Sequence, residues 1–420
     1  MNQYLELLRR RDYALLWGGA TISALGDGMS FVALVWLLIE RGGSAADVGW
    51  LAAVYTAPVV VGGIAAGVIL DRFDARRVIA ADNVIRGIAI GSVPLASALG
   101  VLTTPHLFVV AAVYGLLFMT SIAGIPTMIA RLADPDKLTT ANAMESISYG
   151  IAGLIGPAFA GVVIAVLGAP VVLAIDAVTY GVFVVCLLAM GTSTAGTSPA
   201  SEERPAPNEE AVGGGVGPAV RFIVGAPAIV AITVMYMCLN VSGGIAIVLI
   251  PIYARDVLGG GPDTFGLLLS ALTAGELTGL LVIGAVRWRW PLGRSIAAAA
   301  LADGLVLSLL VLRPSLLPML AILALSGVAE SSLTPWAQTI RMRLIPPAMR
   351  GRVFALLRTL MQSTKPIGSI VAGLLLAGGD ITVALVAIAV LVGVPGAIGL
   401  FLPALGRGPT AEPQAVTVAE

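Results

Sequence analysis

Twelve apolar segments, each long enough to cross a bilayer, divide this chain of 420 residues. A spanning helix needs about 20 apolar residues. With no water in the hydrocarbon core, backbone groups must be satisfied within a helix or a closed barrel, and barrel strands are about half this length. The segments therefore predict helices. They run Tyr13 to Ile39, Val48 to Leu70, Val78 to Leu102, Leu107 to Ile129, Ala141 to Leu167 and Pro170 to Met190. After a break come Ala226 to Tyr253, Phe265 to Val286, Leu292 to Leu312, Leu316 to Ile340, Val353 to Ala377 and Ile381 to Leu402. With 58% hydrophobic and 11% charged residues, the chain is far more apolar than a soluble domain, at roughly 45 to 50% and 25%. The stretch 191–218, rich in Gly, Pro, Ser, Ala and Glu, cannot bury an apolar face and separates the helices six from six. The expectation is an all-α membrane protein of two pseudo-symmetric six-helix bundles, residues 1–190 and 219–403, with a linker at 191–218 and a tail at 404–420.

Charge sets orientation and excludes several functions. Lys and Arg concentrate before the first segment and in the even-numbered connections, while the odd-numbered ones hold only Arg41, Arg255 and Arg313. By the positive-inside bias both termini and the linker are cytoplasmic, in a multi-pass protein of the cell (inner) membrane. The first segment is too long for a cleaved signal peptide and is expected to remain. Net charge is zero, so no nucleic-acid-binding surface is indicated. Cys186 and Cys238 lie in apolar segments of different halves, which implies neither disulfide nor metal cluster. A membrane-embedded enzyme generally needs a nucleophile, metal cluster or paired histidines, and the lone His106 sits in an outer loop. No enzyme is indicated. No phosphate-binding loop of the Gly-x4-Gly-Lys-Ser/Thr type occurs; with no cofactor, the energy source is an ion gradient, taken as protons.

The halves resemble each other. A shift of 212 positions places Arg131 on Arg343, Pro135 on Pro347, Gly156 on Gly368 and Gly161 on Gly373, the pattern a parallel duplication leaves at equivalent helix ends. Gly63 with Gly67, and Gly275 with Gly279, have the spacing that lets membrane helices approach closely.

The loop after the second segment carries Gly67, Asp71, Arg72, Arg76 and Arg77, and resembles the signature loop of the major facilitator superfamily, with Asp74 where that signature has glycine. Gly67 would permit close helix contact, and Asp71 would latch the bundles by pairing with arginines and with the positive end of a helix opposite. Further features are similar to the third drug:proton antiporter family: Arg11, Asp12 and Trp17; Gly26 and Asp27; Asp82 and Arg86; Ala141 and Asn142; and Asp176 between Ile175 and Ala177. In the fifth segment Gly156, Pro157 and Gly161 resemble the antiporter motif of drug exporters. This resemblance implies the major facilitator fold and export of a small hydrophobic compound by a monomer.

Charges inside the bilayer are costly, at least about 2.5 to 3.5 kcal/mol each on insertion scales, and mark function. Asp27, Glu276, Glu330 and Lys365 lie near mid-membrane. The implied arrangement puts the first, fourth, seventh and tenth helices around the cavity, so Asp27 and Glu330 are the foremost proton-site candidates. Lys365 either holds a glutamate ionised until displaced, or forms a static pair with Glu276 or Glu330. Asp82 and Arg86, spaced i,i+4 toward the cytoplasmic end, read as a structural ion pair. Glu145 and Arg358 are expected to meet at a cytoplasmic gate, while Asp176 and Asp303, on peripheral helices, read as structural. Met29, Phe31, Trp36, Tyr55, Met119, Met128, Met235, Tyr236, Met237, Asn240 and Trp336 are candidate lining residues, since Met and aromatics repack around apolar ligands. Proton-coupled uptake of a metabolite, and a passive lipid scramblase or non-transporting receptor, remain open alternatives.

Overall fold

The computed structural model describes residues 2–191, 216–285 and 290–406. Twelve helices in it are long and apolar enough to span a membrane: α1 (Arg11–Glu40), α2 (Ala45–Arg72), α3 (Ala75–Ala98), α4 (Thr104–Leu132), α5 (Pro135–Leu167), α6 (Ala169–Ala189), α7 (Pro227–Asp256), α8 (Pro262–Ala285), α9 (Leu292–Leu312), α10 (Leu316–Leu344), α11 (Arg350–Ala377) and α12 (Ile381–Phe401). Each matches one of the twelve expected segments. Most of the expected linker at 191–218 and tail at 404–420, and residues 286–289, lie outside the described residues.

Local chemistry sets the ends and breaks. Ser44 and Asp47 form a reciprocal capping box that starts α2, satisfying backbone donors that the helix cannot. Gly168, at φ +86°, permits the tight reversal from α5 into α6. Three helices are interrupted, α2 at Ala57, α10 at Ser332 and α11 at Ser363. Pro58, Pro335 and Pro366 follow these breaks closely. Proline has no N–H to donate and its ring crowds the carbonyl four residues back, which for Pro335 is Ser331 and for Pro366 is Gln362. The breaks therefore fall beside Glu330 and Lys365.

Within the first bundle α1 packs on α5 and α6, α3 on α6, and α2 on α4; in the second, α7 packs on α11 and α12, α9 on α12, and α8 on α10. Each contact in one bundle has its counterpart in the other. The bundles join along two equivalent seams, α5 against α8 and α2 against α11. Both depend on absent side chains. A Cβ at Gly266 would lie 2.1 Å from the Pro157 carbonyl oxygen, one at Gly161 2.4 Å from that of Pro262, and one at Gly49 2.6 Å from that of Ser369. These approaches lie toward the end of the bundles away from the termini. At the terminal end, Pro58–Arg72, Leu333–Leu344 and Arg350–Gln362 pack chiefly within their own bundles. The bundles are thus sealed at the far end and parted toward the termini.

The glycine expectations divide. Gly275 and Gly279 do carry close packing, since a Cβ on them would fall 1.9 Å from the Ala324 oxygen and 2.1 Å from Ser331 Oγ. Gly67 does not: it is exposed and a Cβ there would meet nothing within 4 Å. On α2 the close face runs one residue earlier, through Gly62 against the Leu116 carbonyl and the buried Ala66. A short helix, Asn2–Arg9, which the hydropathy pattern does not announce, docks its buried Leu7 on the terminal end of the first bundle. Lys137 pairs with Glu6 at 3.0 Å, and Arg10 with Asp134.

Candidate functional site

The ionisable side chains of the first bundle converge on one arginine. Arg86, on α3, is only 1% exposed. Its Nε and Nη2 donate to Asp82 Oδ2 at 3.1 and 2.9 Å, and its Nη1 donates to Asp27 at 3.1 and 3.3 Å. Ser121 of α4 accepts from Nη2 at 3.0 Å and donates to Asp82 Oδ2 at 3.1 Å. Tyr180 of α6 donates its hydroxyl to Asp27, and the guanidinium stands 4.7 Å from the Tyr180 ring centroid and 5.6 Å from that of Tyr114. A planar fork with five donors can hold two carboxylates at once, which an ammonium cannot reproduce.

Two glycines bring the helices together here. A Cβ on Gly26, immediately before Asp27, would lie 2.0 Å from Asp176 Oδ1, and one on Gly87, immediately after Arg86, 3.2 Å from Tyr180 Cβ. Asp176 is wholly buried, bonded by the Ser30 and Thr179 hydroxyls. Three acids and one arginine therefore share the interior of the bundle.

This revises three expectations. Asp82 and Arg86 do form the i,i+4 pair, but Arg86 is at mid-helix rather than near the terminal end, and it also binds Asp27, so the pair is half of a larger group. Asp176 is no isolated structural acid, because the Gly26 contact places it against the backbone of α1. Asp27 has Arg86 as its partner and lies in the first bundle's own interior network. Tyr180 and Ser121 escaped the sequence reading altogether; the only signals were the glycines flanking Asp27 and Arg86.

The second bundle carries a looser set. Close packing of α8 on α10 brings the backbone at Glu276 against Gly327, one turn from Glu330; a Cβ on Gly327 would lie 2.8 Å from the Glu276 amide nitrogen. Lys365 lies on α11, where Gly244 of α7 faces its carbonyl. All three side chains are partly exposed. Neither glutamate is within the 4.0 Å of an ion pair with Lys365, so the static pair is absent among the described residues. The buried Asp303 accepts from Ser326 at 2.5 Å.

The expected gate is not formed. Arg358 reaches across the bundles to Met119 Sδ at 3.5 Å, while Glu145 borders a small hollow with Tyr13, Trp17, Ile129 and Tyr149. Arg358 is thus engaged with α4 of the other bundle rather than with Glu145 on α5. In the signature loop, Asp71 and Arg72 are exposed, Arg76 donates to the Leu188 carbonyl at 2.9 Å, and Asp74 caps α3 through the Arg77 amide at 3.2 Å. Asp74 also faces Arg131 at 3.5 Å. The departure from the signature glycine thus has a local use. Outside the membrane, hydrogen bonds from Arg10 and then Lys137 hold the Asp134 carboxyl below its ordinary value.

Of the candidate lining residues, Met29, Trp36, Met119, Met128, Met235 and Trp336 are buried, Trp36 stacking on Phe265 across the bundles at 6.4 Å. Apolar size was their only signal, and it does not separate packing from lining. Phe31, Tyr55, Tyr236, Met237 and Asn240 are partly exposed. Phe31, Tyr55, Tyr114 and Phe118 form a continuous row, with ring centroids 5.1, 4.6 and 5.8 Å apart.

Two six-helix bundles of equivalent packing, with buried charge at their centre, define a membrane transporter of the major facilitator class. The profile of the family described as transmembrane secretion effector matches residues 4–412, and the chain belongs to that family within the superfamily. It is 27% identical over 397 residues to the multidrug efflux pump Tap of Mycobacterium tuberculosis, covering 91% of each chain. To the pump of the same name from Mycolicibacterium fortuitum it is 25% identical over 410 residues, covering 94% of this chain and 97% of the relative. Among solved structures, the nucleoside transporter NupG superposes with a TM-score of 0.73 at 13% identity, over 92% of this chain and 98% of that one. That similarity concerns the fold.

Proposed function

We propose that this transporter exports hydrophobic small molecules across the inner membrane in exchange for protons, by alternating access. The relatives named as multidrug efflux pumps support export. The basic residues at the terminal end support a cytoplasmic position for that end, so the conformation described here is open toward the cytoplasm, ready to load. The observation that carries proton coupling is a charge count. Among the described residues Arg86 is the only cation bonded to Asp27 and Asp82, and two ionised carboxylates on one guanidinium leave an uncompensated negative charge in a low-dielectric interior. Such a charge costs several kcal/mol, and one proton removes it. The state with a proton and the state without one differ only in what else compensates that charge, and this is the requirement for coupling transport to a proton gradient.

Reconstituted protein should concentrate a hydrophobic dye against its gradient only when a pH gradient is imposed. Accumulation that survives collapse of the gradient would contradict the reading. Orientation has its own test. With Cys186 and Cys238 replaced by serine, a membrane-impermeant thiol reagent should label Ser315→Cys in intact cells and spare Ser198→Cys; the reverse labelling would overturn the assigned sidedness.

A further inference from the structure

We infer that Asp27 receives a cationic group of the substrate while Asp82 carries the exchanged proton, with Arg86 compensating whichever carboxylate is otherwise unpaired. This deepens the proposed coupling and rests on it. The two acids are bonded to the same guanidinium but are not equivalent. The Asp27 side chain is 19% exposed and that of Asp82 is 1% exposed, so only Asp27 can meet a ligand. Its surroundings suit a lipophilic cation: Phe31, one turn further along α1, begins the aromatic row through Tyr55 to Tyr114. Aromatic faces beside a carboxylate attract cations by charge and by the ring quadrupole together.

Asp82 suits a proton. Its Oδ2 accepts three hydrogen bonds, two from Arg86 and one from Ser121. Its Oδ1 is buried and has no donor among the described residues. A buried ionised oxygen without a donor is costly; a proton on Oδ1 removes that cost and leaves every bond at Oδ2 in place. The remaining groups facing the pair are Tyr55, Tyr114, Tyr180 and Asp176, the last satisfied by Ser30 and Thr179.

The exchange balances. Before loading, ionised Asp27, protonated Asp82 and Arg86 sum to zero. A monovalent cation at Asp27 takes over that carboxylate, Arg86 is left to Asp82, and Asp82 releases its proton. The sum is again zero. One cation enters and one proton leaves, and the group of Asp27, Asp82 and Arg86 is neutral at both stages.

The test is proton release from purified, detergent-solubilised transporter in weakly buffered solution, with ethidium as a monovalent aromatic cation and phenanthridine as its uncharged parent ring. Wild-type protein should release a proton for each ethidium bound and none with phenanthridine. Asp82→Asn should release nothing and bind ethidium more weakly, with an affinity that no longer rises with pH, because Arg86 is left without a carboxylate once the cation takes Asp27; Asp27→Asn should lose affinity for ethidium roughly tenfold, or about 1.4 kcal/mol. Proton release persisting in Asp82→Asn, or undiminished ethidium affinity in Asp27→Asn, would overturn the assignment while leaving proton coupling itself intact. A wild type that neither releases protons nor responds to a pH gradient would defeat the proposed function instead. Should Asp82→Asn not fold, infrared difference spectra of the wild type decide: ethidium must abolish a protonated-carboxyl band, and an unchanged band would refute the inference.

Discussion

Arg86→Met should abolish proton-driven transport and destabilise the purified protein by about 3 to 5 kcal/mol, the usual cost of leaving buried charge without its partner. The substitution conserves most of the volume, so the loss reports charge rather than packing. Asp27 and Asp82 would face each other without compensation, and the hydrogen bonds at Nε, Nη1 and Nη2 would all be gone. Arg86→Lys should recover little, because one ammonium cannot span both acids. The triple variant Arg86→Met, Asp27→Asn, Asp82→Asn should regain much of the stability and none of the coupling. Thermal unfolding beside transport in vesicles separates the two effects; a single Arg86→Met variant of wild-type stability would mean the acids are both protonated and Arg86 is dispensable.

Gly49→Val should block the cycle from the other side. Its Cβ would sit 2.6 Å from the Ser369 carbonyl oxygen and 2.9 Å from Gly373 Cα, both backbone atoms that cannot move aside. The α2–α11 seam would then be unable to close. Each bundle keeps its own interior, so the protein should insert and fold while staying open at the far end, with transport reduced to background. Increased reactivity of a single cysteine placed at Ala46, with abundance unchanged, would register the shift. Normal transport by Gly49→Val would show that the seam need not close during the cycle.

How much of this could be read from the chain differs between fold and site. The twelve helices follow from segment length and hydropathy, which the bilayer imposes directly. The pairing of Asp82 with Arg86 follows from spacing on one helix. What joins Asp27 to Arg86 is 59 residues of separation closed by contacts between α1, α3 and α6, and only Gly26 and Gly87 hinted at those approaches. Gly67 shows the converse error: its spacing suits close packing, yet the contacting face is set by helix rotation, which a glycine pattern does not determine. Lys365 and the glutamates are expected near mid-membrane from residue counts along their helices, and such counts carry no information on the distances between side chains. Their separation is set by how α8, α10 and α11 pack within the second bundle.

The central claim is that coupling resides in the first bundle. It is tested most directly by imposing a pH gradient on proteoliposomes and measuring ethidium accumulation with stable Asp27→Asn, Asp82→Asn, Glu276→Gln and Glu330→Gln variants in parallel. The account predicts that both asparagine variants fail to concentrate ethidium, while both glutamine variants still respond to the gradient. Accumulation by Asp27→Asn and Asp82→Asn, with loss in Glu276→Gln or Glu330→Gln, would place coupling in the second bundle and contradict it.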